Sequence, residues 1–383
     1  MKKLNGFLVY GTIILLILVS YGGYHFYGPD TDPELVIPDT DSKNTGMSVL
    51  SASERPGEET TMGERNEAQR AEHIKEVMRR STIIKDPTPI VGAAMGNNRS
   101  KVARAAIENA GGLGEIIKEG DTVFIKVNAV YFAKVGDGVL TDYRVVEEIA
   151  NIAKENGAAR IIVADGGSVG DTIHYGPAKF IDIPGIEVLN LNGFSEEACY
   201  YLKPGGSLTG AEIPIPSIYM DADVVISAAK LKTHRMAGAT LSLKNAFGVP
   251  PLDLVNNGPA GQPMKAQLHA WGIEQSIVDI NMIRRPDFVV IDGIIGMEGN
   301  SPDLGTPIDS GIIFAGSDPV AVDTVGVRFM GIEVSEVPHI GLAAEKNLGV
   351  SDLSNITVVG VDLDAVKMEF KRPDSGPSAG LAN

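Results

Sequence analysis

Residues 223–248 read DVVISAAKLKTHRMAGATLSLKNAFG, and this stretch decides both the fold and the position of a candidate site. It opens on Asp223–Ala228, a short and largely apolar run of the kind that forms a strand buried on both faces of a parallel sheet. Three lysines, one histidine and one asparagine follow, interleaved with leucine and phenylalanine side chains that should pack the segment down. The chain as a whole carries 49 Asp and Glu against 33 Lys and Arg, so this local concentration of cations predicts a site that attracts an anion. The alternative is a solvated loop followed by an ordinary helix.

Strand-like runs recur along the chain and alternate with runs of helical periodicity. The strand-like runs are residues 90–94, 123–130, 160–164, 186–191, 224–228, 288–291, 312–315 and 356–361. Apolar residues three or four positions apart indicate helices after Ser100, which is a good N-cap, after Asp142, and over Ile273–Ile283. This alternation predicts an α/β domain over residues 86–365, with a mainly parallel sheet and helices on both faces.

Polar side chains stand at the ends of five predicted strands. They are Lys126 and Asn128, Asp165 with the glycines after it, Lys230 and Lys232, Asp292 with Glu298, and Ser317 with Asp318. Ligands of parallel α/β sheets bind beyond the carboxyl ends of the strands, so these residues should converge on one rim. The expected ligand is a small phosphate or carboxylate, and the acidic balance of the chain argues against nucleic acid.

The predicted site has two groups of residues. We expect lysine ammonium groups and asparagine amides to bind and orient the anion, and the ligand-binding set is Lys126, Asn128, Lys230 and Asn245. The predicted catalytic set is Lys232 and Lys244, which polarise the anion, and His234, which nearby lysines keep neutral and able to move a proton at pH 7. The alternatives are that a carboxylate moves the proton and that His234 only makes structural hydrogen bonds. Gly166 and Gly167 open a glycine-rich turn that either presents backbone N–H groups to an oxyanion or only makes a tight turn.

A second prediction concerns a divalent cation. Asp292, Glu298 and Asp318 could supply oxygen ligands for Mg²⁺ or Ca²⁺. The alternative is that Asp318 caps a helix and that the carboxylates form ion pairs with the lysines.

Five ordered motifs tie these residues to a known family. They are residues 123–128 (VFIKVN), 230–248, 291–293 (IDG), 297–300 (MEGN) and 317–323 (SDPVAVD). Together, over residues 89–361, they resemble the domain-of-unknown-function 362 family. Some members of this family carry ferredoxin-type cysteine clusters, which implies work beside a redox partner. Cys199 is the only cysteine of this chain, so we expect no iron–sulfur cluster here.

The N-terminal residues 1–27 predict a membrane anchor. Two lysines precede the apolar run Phe7–Val19, and aromatic residues extend this run to Tyr27. The whole reaches the roughly 20 residues that span a bilayer, and the lysines should stay in the cytoplasm. We therefore expect a single transmembrane helix with the body of the protein outside the cytoplasm. Secretion after cleavage of a signal peptide is the alternative.

The regions that flank the domain are polar. Residues 28–85 are rich in Pro, Asp, Glu, Ser and Thr and predict a linker, in which residues 63–80 could form a polar helix. Residues 366–383 predict a disordered tail. The sequence thus predicts a membrane-tethered α/β protein that acts on or binds a small anion; the alternative is a non-catalytic binding protein or an accessory to a redox partner.

Overall fold

The computed structural model of the protein describes residues 67–374, except 85, 132, 135, 169–170, 176–177 and 257–264. Its strands are β1 (Ile90–Met95), β2 (Thr122–Val127), β3 (Arg160–Asp165), β4 (Glu187–Asn190), β5 (Cys199–Leu202), β6 (Ile213–Pro216), β7 (Val224–His234), β8 (Gly238–Thr240), β9 (Phe288–Asn300), β10 (Leu304–Gly316) and β11 (Thr357–Val359). Its α-helices are α1 (Glu67–Ser81), α2 (Arg99–Asn109), α3 (Tyr143–Glu155), α4 (Thr172–Tyr175), α5 (Ser217–Asp221), α6 (Ser242–Asn245), α7 (Ala266–Ala270), α8 (Ile273–Ile283), α9 (Pro319–Phe329), α10 (Pro338–Glu345) and α11 (Leu363–Val366).

One mixed sheet organises the described part of the chain. Its strand order is β11-β1-β10-β9-β7-β2-β3-β4, and β8 pairs with β7. The central strands β9, β7, β2, β3 and β4 are all parallel to one another, which confirms the predicted α/β class with a mostly parallel sheet. Strand β10 runs antiparallel to both of its neighbours, β1 and β9.

The direction of β10 moves one predicted site residue away from the others. Asp318 follows β10, and because β10 is antiparallel to β9, its last residue Gly316 pairs with Val289 near the start of β9. Asp292 pairs with Ile313, so Gly316 already lies ~10 Å further along the ladder at about 3.3 Å per residue. Asp318 is therefore at the amino-terminal rim of the parallel strands, whereas the prediction had placed it at the carboxyl-terminal rim.

Two hydrophobic cores lie on the two faces of the sheet. In β2, Val123 and Ile125 belong to one core and Phe124 belongs to the other, because successive side chains of a strand point to opposite faces. Helices α2 and α3 supply buried side chains to the first core, and helices α8, α9 and α10 supply them to the second. The sheet is thus covered by helices on both faces, as predicted.

Side-chain caps fix where the helices begin. The Asp142 carboxylate accepts from the backbone N–H of Arg144 and starts α3. Helix α2 starts one residue before the predicted cap: its N-cap is Asn98, whose side chain accepts from Lys101 N, and not Ser100. Asp318 accepts from Ala321 N and caps α9, so the capping alternative for this residue is confirmed.

Both flanking regions contribute packed residues to the domain. Helix α1 lies inside the predicted linker 28–85, and its Val77 is buried in the core. The predicted disordered tail 366–383 is ordered at its start, because Phe370 is buried and its backbone N–H donates to Met330 O. No helix among the described residues is both long and apolar enough to cross a membrane, and the predicted anchor 1–27 lies outside those residues.

Candidate functional site

A cleft of about 130 Å³ opens where β2, β3 and β7 end. Eight of the predicted ligand-binding and catalytic residues line it: Lys126, Asn128, Gly166, Gly167, Lys232, His234, Lys244 and Asn245. The parallel strands bring these residues together although Lys126 and Asn245 are far apart in sequence. The convergence at the carboxyl ends of the strands therefore follows the general rule for such sheets.

A buried ion pair forms the floor of the cleft. Lys126 Nζ lies 2.5 Å from Asp165 Oδ1, and Asp165 Oδ2 accepts from Ala129 N at 2.6 Å. Burial lowers the pKa of Lys126, and the Asp165 charge opposes this shift. Gly248 is required beside the pair, because a Cβ at this position would lie 2.4 Å from Asp165 Oδ1 and 2.7 Å from Lys126 Nζ.

The two asparagines form a network with Lys232. Lys232 Nζ donates to Asn128 Oδ1 and to the Val139 carbonyl, both at 2.9 Å. Asn128 Nδ2 donates to Asn245 Oδ1, and Asn245 Nδ2 in turn donates to Lys126 O and Ser227 Oγ. Burial, reinforced by the charges of neighbouring lysines, lowers the pKa of Lys232 well below its usual value. The two asparagines therefore hold Lys232 in place and tie helix α6 to strands β2 and β7.

Helix α6 presents Lys244 to the cleft. Its first turn is held by Asp323 on α9, which accepts from Ser242 N, Ser242 Oγ and Leu243 N at 2.8, 2.6 and 3.0 Å. Lys244 Nζ lies 4.8 Å from the centre of the Phe247 ring, and within the described residues it has neither a hydrogen-bond acceptor nor a carboxylate in ion-pair contact. Burial lowers the pKa of Lys244 to about 8. This ammonium group is the one best placed to contact a ligand.

Two histidines give the cleft one donor and one acceptor. His234 Nδ1 accepts from Met236 N and Ala237 N, each at 3.1 Å, so the ring proton is on Nε2 and this atom can only donate. His269 Nδ1 lies 3.2 Å from the Lys265 carbonyl and must donate to it, which leaves Nε2 as an acceptor. Burial lowers the pKa of His234 well below its usual value and that of His269 to about 4, so both rings are neutral at pH 7. His234 thus has the neutral state that the sequence predicted, in a tautomer that suits hydrogen-bond donation.

The cleft also contains residues that no sequence motif indicates. Lys265 Nζ donates to the Pro250 carbonyl at 2.6 Å, and burial lowers the pKa of Lys265 to about 7. Thr240 Oγ1 and Ser301 Oγ line the cleft, are buried, and have no hydrogen-bond partner among the described residues. No local signal in the sequence marks Lys265, because only the tertiary fold brings it to the cleft.

Other predicted site residues have different partners. Lys230 is not part of the cleft wall, since its Nζ forms a buried ion pair with Asp292 Oδ2 at 2.7 Å. Glu298 accepts from Lys371 N, and Asp318 caps α9. Within the described ranges, no three His, Cys, Asp or Glu side chains are grouped so that they could hold a metal ion. The ion-pair alternative for Asp292 and the capping alternative for Asp318 describe what is observed.

The glycine turn is engaged in backbone packing. Gly166 N donates to the Gly248 carbonyl at 3.1 Å, so this N–H is not free to bind an oxyanion. A Cβ at Gly166 would lie 2.6 Å from Gly248 O, and one at Gly167 would lie 2.7 Å from Ala129 O. Both positions therefore need glycine for close backbone approach.

Comparison with known proteins places these elements in a family. The family model described as "Domain of unknown function (DUF362)" matches residues 123–328, more than half of the chain. The chain belongs to the DUF362 family. The range matched in this DUF362 protein runs from β2 to α9 and contains every residue that lines the cleft.

Two individual proteins resemble this DUF362 chain. A thylakoid-associated protein of Synechocystis sp. is 28% identical over 253 residues, which cover 65% of this chain and 74% of the relative. A crystal structure of a Thermotoga maritima protein matches with 12% identity and a TM-score of 0.35, over 56% of this chain and 54% of that one. The chain thus spans about half of that solved protein.

Proposed function

We propose that the cleft of this DUF362 protein binds a small anion that carries a phosphate or carboxylate group. The observation that carries the proposal is the charge of the wall: four lysines and one arginine line the cleft, against the two carboxylates of Asp165 and Asp303. The chain has a formal net charge of −16, so this positive wall runs against the overall composition. Lys126 pairs with Asp165 and Arg235 with Asp303, whereas Lys232, Lys244 and Lys265 have no carboxylate in ion-pair contact among the described residues. A bound anion would stabilise the charged forms of these three lysines.

The donors of the cleft are suited to oxyanion oxygens. Lys244 Nζ, His234 Nε2 and the hydroxyls of Thr240 and Ser301 have hydrogen-bonding capacity that the described residues do not use. Charge-assisted hydrogen bonds from such groups to phosphate or carboxylate are stronger than neutral ones. Asp165 already accepts from Lys126 and Ala129 and so supplies little acceptor capacity to a ligand.

Binding is better supported than catalysis, although the cleft has groups that move protons. The pKa of Lys244 is about 8 and that of Lys265 about 7, so each amine changes protonation near neutral pH. If this protein is an enzyme, Lys244 acts as the acid or base on the bound anion, and His234 donates a hydrogen bond to it. The alternative is a binding protein or an accessory to a redox partner, in which the same cleft captures the anion without reaction.

We also propose that the protein is associated with a membrane. The relative from Synechocystis sp. is thylakoid-associated, and residues 1–27 of this chain have the lysine, apolar and aromatic pattern of a membrane anchor. The body would then lie outside the cytoplasm.

Calorimetric titration of the full-length protein with inorganic phosphate and with acetate tests the anion site. Removal of a cation that faces a bound anion leaves the anion's charge uncompensated. We therefore expect Lys244→Ala to weaken anion binding by about tenfold or more. The change should not unfold the domain, because Lys244 Nζ has no hydrogen-bond acceptor within the described residues. The matched control is Lys371→Ala, whose exposed side chain lies outside the cleft. Equal affinities for parent and Lys244→Ala would contradict the proposal.

A further inference from the structure

A second cavity, of about 60 Å³, lies at the amino-terminal rim of the sheet, away from the cleft. The end of helix α1 and the residues between α8 and β9 enclose it. Its polar lining consists of Arg80, Ser81, Arg284, Arg285 and Asp287. The lining thus contains three arginines and one aspartate, around a space that holds more than a single water.

Two of these arginines are buried and only partly used. Arg284 is 3% exposed; its Nη2 donates to Ala222 O at 3.0 Å and to Asp287 Oδ2 at 3.2 Å, while its buried Nε has no partner among the described residues. Arg285 is 7% exposed, and within the described chain the single acceptor of its guanidinium is Leu348 O, at 2.8 Å.

Carbonyl capping explains only part of this arrangement. Both arginines donate to backbone carbonyls, which is the usual structural role of a cation near strand and helix ends. This role uses one Nη of each side chain and leaves the buried Nε of Arg284 unsatisfied, at a cost that native structures seldom carry. Desolvation lowers the pKa of Arg285, and the charges of Asp318 and Asp287 oppose this shift. Among the described residues, Asp287 is the one carboxylate in the lining of the cavity, and it accepts from Arg284 Nη2 and from Val225 N.

We propose that this cavity is a second anion site, which takes one tetrahedral oxyanion, a phosphate group that is either free or carried by a lipid. The planar N–H fork of arginine matches the oxygen spacing of phosphate and gives bidentate contacts. Arg284 and Arg285 form the buried end of the site. Arg80 stands at the mouth, with its side chain 53% exposed and 3.9 Å from Glu76, so the cavity opens to the surface. This site is independent of the cleft.

Hydrogen–deuterium exchange of the full-length protein, titrated with inorganic phosphate, reads the two sites separately. Peptides over residues 75–81 and 284–288 report on the arginine cavity, and peptides over 242–248 report on the cleft. We expect phosphate to protect the first pair. The half-saturating concentration for that protection should rise by about threefold or more in Arg80→Ala and by tenfold or more in Arg284→Lys, which keeps the charge but loses the fork.

The neighbouring arginine provides a matched control. Arg79 is 63% exposed, forms an ion pair with Glu76 and does not line the cavity, so Arg79→Ala should leave the protection unchanged. Exchange in β2 and β7 verifies that each variant is folded. Vesicles of phosphatidylcholine with and without phosphatidate then identify the source: protection by the phosphatidate vesicles that is absent with phosphatidylcholine alone and weakened in Arg284→Lys assigns a lipid phosphate, and protection by free phosphate with no effect of phosphatidate assigns a soluble one.

Two results would overturn the site. The first is saturating phosphate that leaves residues 75–81 and 284–288 unprotected in the parent protein, with phosphatidate vesicles equally without effect. The second is protection that is the same in the parent, Arg80→Ala and Arg284→Lys. In either case the arginines serve only to cap carbonyls.

Discussion

Anion binding in the cleft should weaken steeply as the pH rises above neutrality. Burial lowers the pKa of Lys244 to about 8 and that of Lys265 to about 7 in the free protein. A bound anion stabilises the protonated amines and so raises both pKa values in the complex. The affinity for the anion therefore has its full value below the lower pKa of the free protein, which is about 7. It falls as the pH rises through the pKa values of Lys265 and Lys244.

The size of the effect follows from these two pKa values. A pH of about 9 is about one unit above the pKa of Lys244 and about two units above the pKa of Lys265. Each unit reduces the protonated fraction about tenfold, so the two losses multiply to about 1000-fold, or roughly 4 kcal/mol of binding free energy. This upper value applies when the ligand requires both amines to be protonated. A ligand that contacts only Lys244 would lose about tenfold.

Sulfate is the suitable probe, because its charge is constant over this pH range whereas that of phosphate is not. Calorimetric titrations from about pH 6 to about pH 9, in two buffers of different ionisation enthalpy, measure both the affinity and the protons taken up on binding. Lys244→Met should remove the part of the pH dependence centred near pH 8, and Lys371→Met should leave the curve unchanged. A sulfate affinity that stays constant over the range, with no proton uptake, would refute the reasoning.

Two further predictions concern the buried pair and the membrane. Lys126→Met leaves the Asp165 carboxylate buried without its cation, so we expect the free energy of unfolding in urea to fall by about 3–5 kcal/mol, and Asp165→Asn in the same chain should recover part of it; an unchanged midpoint would show that the pair does not stabilise the fold. A periplasmic reporter fused after Gly28 should be active and the full-length chain should sediment with membranes; an inactive reporter, or a mature N-terminus found beyond Gly28, would exclude an anchor with the body outside the cytoplasm.

The sheet could be predicted from local sequence because its strands are apolar on both faces. All eight predicted runs overlap an observed strand, and the helix after Asp142 begins at its expected cap. The direction of β10 was not accessible in this way, because residues 312–315 are a short apolar run like those of the parallel strands, and only the pairing with β9 makes β10 antiparallel. That single reversal separates Asp318 from the carboxyl-terminal rim.

The lysines of the site could be predicted, whereas their individual roles depend on neighbours distant in sequence. Lys230 and Lys232 are two residues apart on β7, yet Lys230 pairs with Asp292 and Lys232 joins Asn128 in the cleft wall, with a register shift between them. Periodicity indicates that both belong to a strand. It does not indicate which of the two lysines pairs with a carboxylate on the neighbouring strand and which one lines the cleft.

The same comparison explains why the cleft suits a ligand more than an ion-pair network. The strand-end lysines Lys126 and Lys230 each have a buried aspartate within 2.7 Å, so their charges are compensated inside the protein. Lys232 and Lys265 donate to neutral oxygens, and Lys244 contacts an aromatic ring, so these three are stabilised only weakly as cations, and the pKa of each is lowered by burial. A small anion that enters the cleft stabilises the charged forms of these amines, and this coupling makes proton uptake the most direct signature of the proposed function.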